Sequence, residues 1–161
     1  MRRLILIRHA KSDWSLALDD HARPLNKRGR RSAPLIGAWL REKGYLPDEV
    51  ICSDAARTRE TFDRLGIEAP VTCTRMLYLA EAEDILEVLR AAEGATVALI
   101  GHNPGIGDFA GSIVVTPPAH PRFHDYPTAA TLVAEFDIDR WRDADFGIAR
   151  AVDFIVPREL E

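Results

Sequence analysis

The chain has 161 residues, 47% of them hydrophobic and 29% charged, the proportions of an ordinary globular domain. That size implies one domain spanning residues 1–161, with enough buried surface to need no disulfide or metal staple. The composition excludes disordered, collagen-like and fibrous classes, and the net charge of −4 hides a split: residues 1–43 carry 11 basic and 4 acidic side chains, the remainder 10 and 21.

A basic first quarter in an acidic chain implies a local anion site rather than a nucleic-acid surface, which needs a broader basic footprint. The plainer explanation for Arg28, Arg30 and Arg31 is a solvated helix face. No apolar run approaches the roughly 20 residues of a membrane span. The apolar stretch after Met1-Arg2-Arg3 stops at Arg8, too soon for a signal-peptide core. Cys52 and Cys73 show neither metal-ligand spacing nor a disulfide framework, so a reducing, cytoplasmic location is expected.

The apolar run from Arg3 to Arg8 predicts a strand buried on both faces. Asn26 predicts the N-cap of a helix running to about Lys43, with Ala33, Ile36 and Leu40 on one face and Gly44 as its stop. Pro34 inside that span predicts a bend or a late start. A short strand follows at Glu49–Cys52, then a helix from about Asp54 to Leu65 and a brief strand at Val71–Cys73. Glu81–Ala92 joins an acidic first turn to apolar Ile85, Leu86, Val88 and Leu89 and predicts a helix. Thr96–Ile100 reads as another buried strand, with Pro104 at the first position of the next helix. Proline-rich residues 116–128 read as an extended surface loop, and Thr131–Phe136 and Ala151–Val156 as the last two strands. This order predicts an α/β fold, a three-layer α/β/α sandwich with a mostly parallel central sheet and room for an antiparallel edge strand in the C-terminal pair.

Open α/β sheets bind ligands beyond the carboxyl ends of their strands. There the first strand delivers Arg8 and His9, and the second delivers Ser53, with Arg57 one turn into the following helix. The strand Thr96–Ile100 delivers His102. Each alone is a weak signal; together they make a small cation-rich pocket suited to phosphate. Arginine presents a fixed fork of donors to phosphate oxygens, and helix N-termini add free N–H groups. No Walker-type glycine loop and no His-Glu-x-x-His motif is present, and Pro121 between His120 and His124 spoils a helical metal pair. No metal and no cofactor is expected.

At these residues the chain resembles a known family. Leu6-Ile7-Arg8-His9-Ala10 is similar to the signature of the histidine phosphatase superfamily, with Ala10 where glycine is usual. Ser53-Asp54-Ala55-Ala56-Arg57-Thr58 with Thr61 resembles its second arginine motif, and Gly101-His102-Asn103-Pro104 its second histidine motif. Asp20-His21-Ala22-Arg23-Pro24-Leu25, followed by Gly29, is similar to the small SixA-type phosphohistidine phosphatases. The resemblance implies a phosphoglycerate-mutase-like fold and a phosphohistidine intermediate on His9, with Arg8, Arg57 and His102 binding the transferred phosphoryl group. The chemistry agrees, because neighbouring arginines disfavour an imidazolium and leave His9 free to attack.

Ser12 and Ser53 either donate to the phosphate or cap turns. Arg23 either reaches the pocket rim or fixes its loop by pairing with Asp19 or Asp20, and Trp14 is expected to anchor that loop rather than serve as a substrate platform. Many members of the family carry a glutamate as general acid near the position of Leu79; here the substitutes are Glu81, Glu83 or Asp20, or none. The expected activity is hydrolysis of phosphohistidine on a protein. The alternatives are a phosphatase of a small phosphorylated metabolite and a non-catalytic module that binds a phospho-ligand. The partner is therefore a phosphorylated protein or a small phosphorylated substrate, with neither nucleic acid nor membrane involved and the oligomeric state unassigned.

Overall fold

Leu4, Ile5, Leu6 and Ile7 are fully buried, and the sheet is arranged around the strand they form. In the computed structural model, which describes residues 1–161, that strand is β1 (Arg2–Arg8). It is followed by α1 (Lys27–Lys43), β2 (Glu49–Ser53), α2 (Ala56–Leu65), β3 (Val71–Thr74), α3 (Ala82–Arg90), β4 (Thr96–Gly101), α4 (Gly105–Ile113), β5 (Thr131–Phe136) and β6 (Arg150–Ile155). The six strands lie in the order β3-β2-β4-β1-β5-β6.

Alternate residues of β1 explain the layers. Leu4 and Leu6 pack with α3 and α4, whose Leu86, Leu89, Ile106 and Phe109 share their cluster. Ile5 and Ile7 point the other way, into a cluster with Ala33, Ile36 and Leu40 of α1 and Leu65 of α2. A continuous apolar run is what a strand covered by helices on both faces requires. Each such side chain contributes roughly 1.5–3 kcal/mol on burial. Slipping β1 by one residue would carry Arg3 or Arg8 into the core, so its register is firmly set.

β1 runs parallel to β4, β4 to β2, and β2 to β3. β5 is antiparallel to β1 and β6 antiparallel to β5. The antiparallel strand is therefore internal rather than at the edge, because β5 inserts between β1 and β6. One consequence matters for the site. The carboxyl ends of β1, β2, β3, β4 and β6 and the amino end of β5 all open on the same edge of the sheet.

Several local expectations are corrected. Pro34 does not delay the start of α1: Asn26 caps the helix by accepting from Gly29 N–H at 2.9 Å, and the helix runs from Lys27 to Lys43. Pro34 is exposed, so the carbonyl of Arg30 that it leaves without an N–H faces water. Pro104 caps α4 instead of opening it, and α2 starts at Ala56 rather than Asp54. Residues 116–128 are not simply a surface loop. Phe123 and Tyr126 within them are buried, and the Tyr126 hydroxyl donates to Leu6 O at 2.6 Å and accepts from Leu132 N–H at 3.1 Å. No helix is long and apolar enough to cross a membrane.

Gly37 lets α1 approach α2 closely: a Cβ there would lie 1.8 Å from Leu65 O. Alanine is the better helix former by about 1 kcal/mol, yet this contact reverses the sign. Gly37→Ala is expected to destabilise the protein by roughly 1–3 kcal/mol, measured by urea unfolding. A more stable variant would contradict the packing described.

Candidate active site

Where the strand ends open, a cavity of about 300 Å³ is lined by Arg8, His9, Lys11, Ser12, Trp14, Asp20, Arg23, Arg57, Leu79, His102, Asn103 and Thr128. All six residues singled out from the sequence, His9, Arg8, Arg57, His102, Arg23 and Ser12, meet in it.

His9 leaves the end of β1 with its backbone held on both sides. Its N–H donates to Gly101 O at 3.1 Å, and its carbonyl accepts from Ala129 N–H at 3.0 Å. The imidazole is buried, with Nδ1 2.7 Å from Ala10 O. A carbonyl can only accept, so Nδ1 carries the hydrogen and Nε2 keeps its lone pair. The Ala10 loop is fixed in turn: Ala10 N–H donates to Thr61 Oγ1 at 3.0 Å, and that hydroxyl donates to Arg57 O at 2.7 Å. Gly29 allows the start of α1 to press against the same loop, since a Cβ there would lie 2.2 Å from Lys11 O. Burial above all, with His102, Arg8 and Arg57 adding to it, holds the His9 pKa well below that of a free imidazole despite the bond to Ala10.

His102 stands beside it, the two ring centroids 5.3 Å apart. Its pKa is pushed down to about 3, by burial first and then by Arg57 and Arg8. The ring is therefore neutral, with one N–H. Its Nε2 is 2.8 Å from Ser53 Oγ, which already accepts from Ala55 N–H. The Ser53 hydroxyl finds its acceptor in His102 Nε2, so the ring hydrogen sits on Nδ1. That buried atom has no partner.

Arg57, in the first turn of α2, is buried and donates through Nη1 to Asp20 O at 2.7 Å and through Nη2 to Asp20 Oδ2 at 3.0 Å. Arg8 donates through Nη1 to Tyr126 O at 3.2 Å. In both, Nε is buried and unpartnered. Three unused donors, from Arg8, Arg57 and His102, thus belong to residues lining one cavity beside a histidine with a free lone pair. Leaving a buried donor unpaired costs about 1–3 kcal/mol or more, so this is a site poised for an anion.

Asp20 is corrected as a general-acid candidate. Burial alone would raise its pKa, but donors from Tyr78, Arg57 and Arg23 outweigh that and hold the carboxyl well below the usual carboxylate range. It stays ionised and acts as the counter-charge of the two arginines. Glu81 and Glu83 are exposed at the start of α3 and do not line the cavity; Glu81 is the N-cap of that helix. Leu79, near which the resemblance implies a glutamate in many members of the family, lines the cavity.

Arg23 satisfies both expectations. It is buried, lines the cavity, and donates to Asp20 Oδ1 at 3.1 Å and to Ser12 Oγ at 2.7 Å. Trp14 does not anchor the loop. It is 77% exposed and lies over the Arg23 guanidinium, 3.5 Å from ring centroid to Cζ, at the cavity edge. Ser53 orients His102 and does not itself line the cavity. Outside the site, His120 pairs with Glu159 at 2.9 Å.

Two contributors were missed. The Tyr78 hydroxyl donates to Asp20 Oδ2 at 2.5 Å, and the Tyr78 ring stands edge-on to His102. His21 contacts Asp54 at 2.7 Å and packs against Tyr78. Tyr78 follows the exit of β3, so extending the strand-exit argument to that strand would have found it.

Residues 4–83 match the histidine phosphatase superfamily (branch 1). An uncharacterised Mycobacterium leprae protein is 35% identical over 162 residues, covering 94% of this chain and all of the relative. A Nakamurella multipartitia structure assigned to the phosphohistidine phosphatase SixA is 32% identical with a TM-score of 0.84, covering 97% of this chain and 96% of that one. An Agrobacterium tumefaciens structure with the same assignment is 26% identical with a TM-score of 0.78, covering 97% and 99%.

The two depressed histidines link stability to pH. Unfolded, each takes up a proton near pH ~6.5; folded, each does so only at a much lower pH. Their contribution is therefore complete above pH ~6.5 and is lost as pH falls below it, by about 1.4 kcal/mol per pH unit for each. Urea unfolding at pH values below ~6.5 is expected to show a shallower pH slope in His102→Gln, by about that amount. Equal slopes in both proteins would contradict a neutral His102.

Proposed function

The chain belongs to the histidine phosphatase superfamily, and on that premise we propose that it is a phosphatase of phosphohistidine on proteins, with His9 carrying the phosphoryl group between substrate and water. The observation that carries this reading is the free lone pair on His9 Nε2 beside three unpartnered donors, with the cavity's one carboxyl, Asp20, held well below the usual carboxylate range by Tyr78, Arg57 and Arg23.

In the first step His9 Nε2 attacks phosphorus and the P–N bond of the substrate breaks. The leaving imidazole holds a proton on its other ring nitrogen and departs neutral. Arg8 Nε, Arg57 Nε and His102 Nδ1–H receive the phosphoryl oxygens, where charge stabilisation is the main catalytic contribution available to a protein. In the second step water attacks the phosphorus on His9, orthophosphate leaves, and Nε2 regains its lone pair. Imidazole is the leaving group in both steps, so neither calls for a carboxylic acid near Leu79.

The SixA assignment of the Nakamurella multipartitia relative points to the same substrate class. Free Cys52 and Cys73 suit a reducing cytoplasm, the compartment proposed for the reaction.

An alkyl ester differs, because its alkoxide leaves only with a proton, and general acid catalysis is typically worth about 10²–10⁴-fold. Across a series of phosphoimidazole, aryl and alkyl phosphates, kcat/KM is expected to fall steeply as leaving-group pKa rises. Phosphoimidazole should exceed alkyl esters by at least that general-acid factor. A flat dependence, with alkyl esters turned over as fast, would overturn the reading in favour of a metabolite phosphatase.

A further inference from the structure

Beside the proposed catalytic cavity lies a second groove of about 410 Å³. It is built where β1, the start of α1, the 116–128 segment and the C-terminal turn after β6 come together at the same sheet edge. Arg8, Lys11 and Thr128 line both, so the two adjoin.

The groove carries a large charge imbalance. Arg8, Lys11, Arg28, Arg122 and Arg158 line it against a single carboxylate, Asp125, which is occupied by Arg122 at 2.9 Å. Arg28 has only a distant contact with Glu161, at 3.8 Å. A net-negative protein has thus concentrated unpaired positive charge on one side of its active site. No aromatic side chain lines the groove, so it offers no stacking platform for a nucleobase. Apart from Arg8, its cations stand on long exposed side chains. Such arms match several carboxylates spread over a surface better than one fixed phosphate, which calls for a rigid, buried fork.

We propose that this groove binds acidic side chains flanking the phosphohistidine of the target protein, a reading that rests on the protein substrate above and specifies its surface. The groove then selects substrates through encounter and KM, because rim charges act on association more than on the chemical step.

The test uses fluorescein-labelled peptides with a central histidine and either glutamate or glutamine flanks, so binding is read by anisotropy without turnover. The wild type is expected to prefer the acidic peptide, less so at higher salt, where exposed charges are screened. Arg28→Glu combined with Arg158→Glu should weaken that binding about tenfold, equivalent to roughly 1.4 kcal/mol. It should leave kcat for an aryl phosphate and the Tm unchanged. Arg140→Glu with Arg142→Glu, the same charge change near the opposite sheet edge, should leave acidic-peptide binding intact.

Unchanged binding in the groove variant, an equal loss in the control, or a loss confined to pyrophosphate as a small-anion probe would each overturn the proposal. Failure of the substrate reading looks different. Phosphohistidine peptides would resist hydrolysis while the groove variant still lost its acidic-peptide binding.

Discussion

Arg8 and Arg57 are drawn into the same cavity wall as two imidazoles, and the site depends on how their positive charge is balanced. Asp20 offers the cavity's one carboxylate, and it is held by Arg57, Arg23 and Tyr78 at once. Burial above all, with the remaining positive potential adding to it, keeps His9 and His102 neutral. The same arrangement leaves buried nitrogens of Arg8, Arg57 and His102 without a partner, as suits an incoming anion. Burial and positive charge together therefore suit the cavity to an anion and hold the histidines in the protonation state that the proposed attack needs. The charge balance also explains why Asp20 is a poor proton donor: the charge that serves as counter-ion to the arginines cannot be neutralised without unbalancing them.

The scaffold contributes position rather than chemistry. Leu4 to Ile7 of β1 are fully buried, alternately on the two faces, so the strand's register is set and Arg8 and His9 leave the sheet at a defined point. β4 places Gly101 O under His9 N–H, and the segment before β5 places Ala129 N–H on His9 O. Thr61 joins the loop after β1 to α2, which carries Arg57. Tyr126 joins the 116–128 segment to β1 through Leu6 O while its own carbonyl accepts from Arg8. The insertion of antiparallel β5 has a further effect: it brings the C-terminal turn after β6 to the active edge, which makes the second groove possible.

His9, Arg8, Arg57 and His102 were legible in the sequence because each follows a short apolar run by one or a few residues. Strand identity and side-chain delivery are then both local properties. Helices α1 and α3 were legible for the same reason, through their caps and apolar spacing. The pairing of Asp20 with Arg57 spans 37 residues and has no local signature, so Asp20 remained an open candidate until the fold placed it. Tyr78 reaches the site only because β3 pairs with β2 at the sheet edge. Prolines around Phe123 and Tyr126 suggested a surface loop, but two buried aromatics decide where that segment lies.

The central claim is that His9 Nε2 carries the phosphoryl group. Rapid mixing with phosphoimidazole, quenching in alkali and peptide mass spectrometry would locate the phosphate, and nuclear magnetic resonance would identify the substituted nitrogen. A transient, acid-labile phosphate is expected on His9 Nε2, formed and lost at rates compatible with turnover and absent from His9→Ala. Phosphate on another side chain, or full turnover by His9→Ala, would contradict that claim.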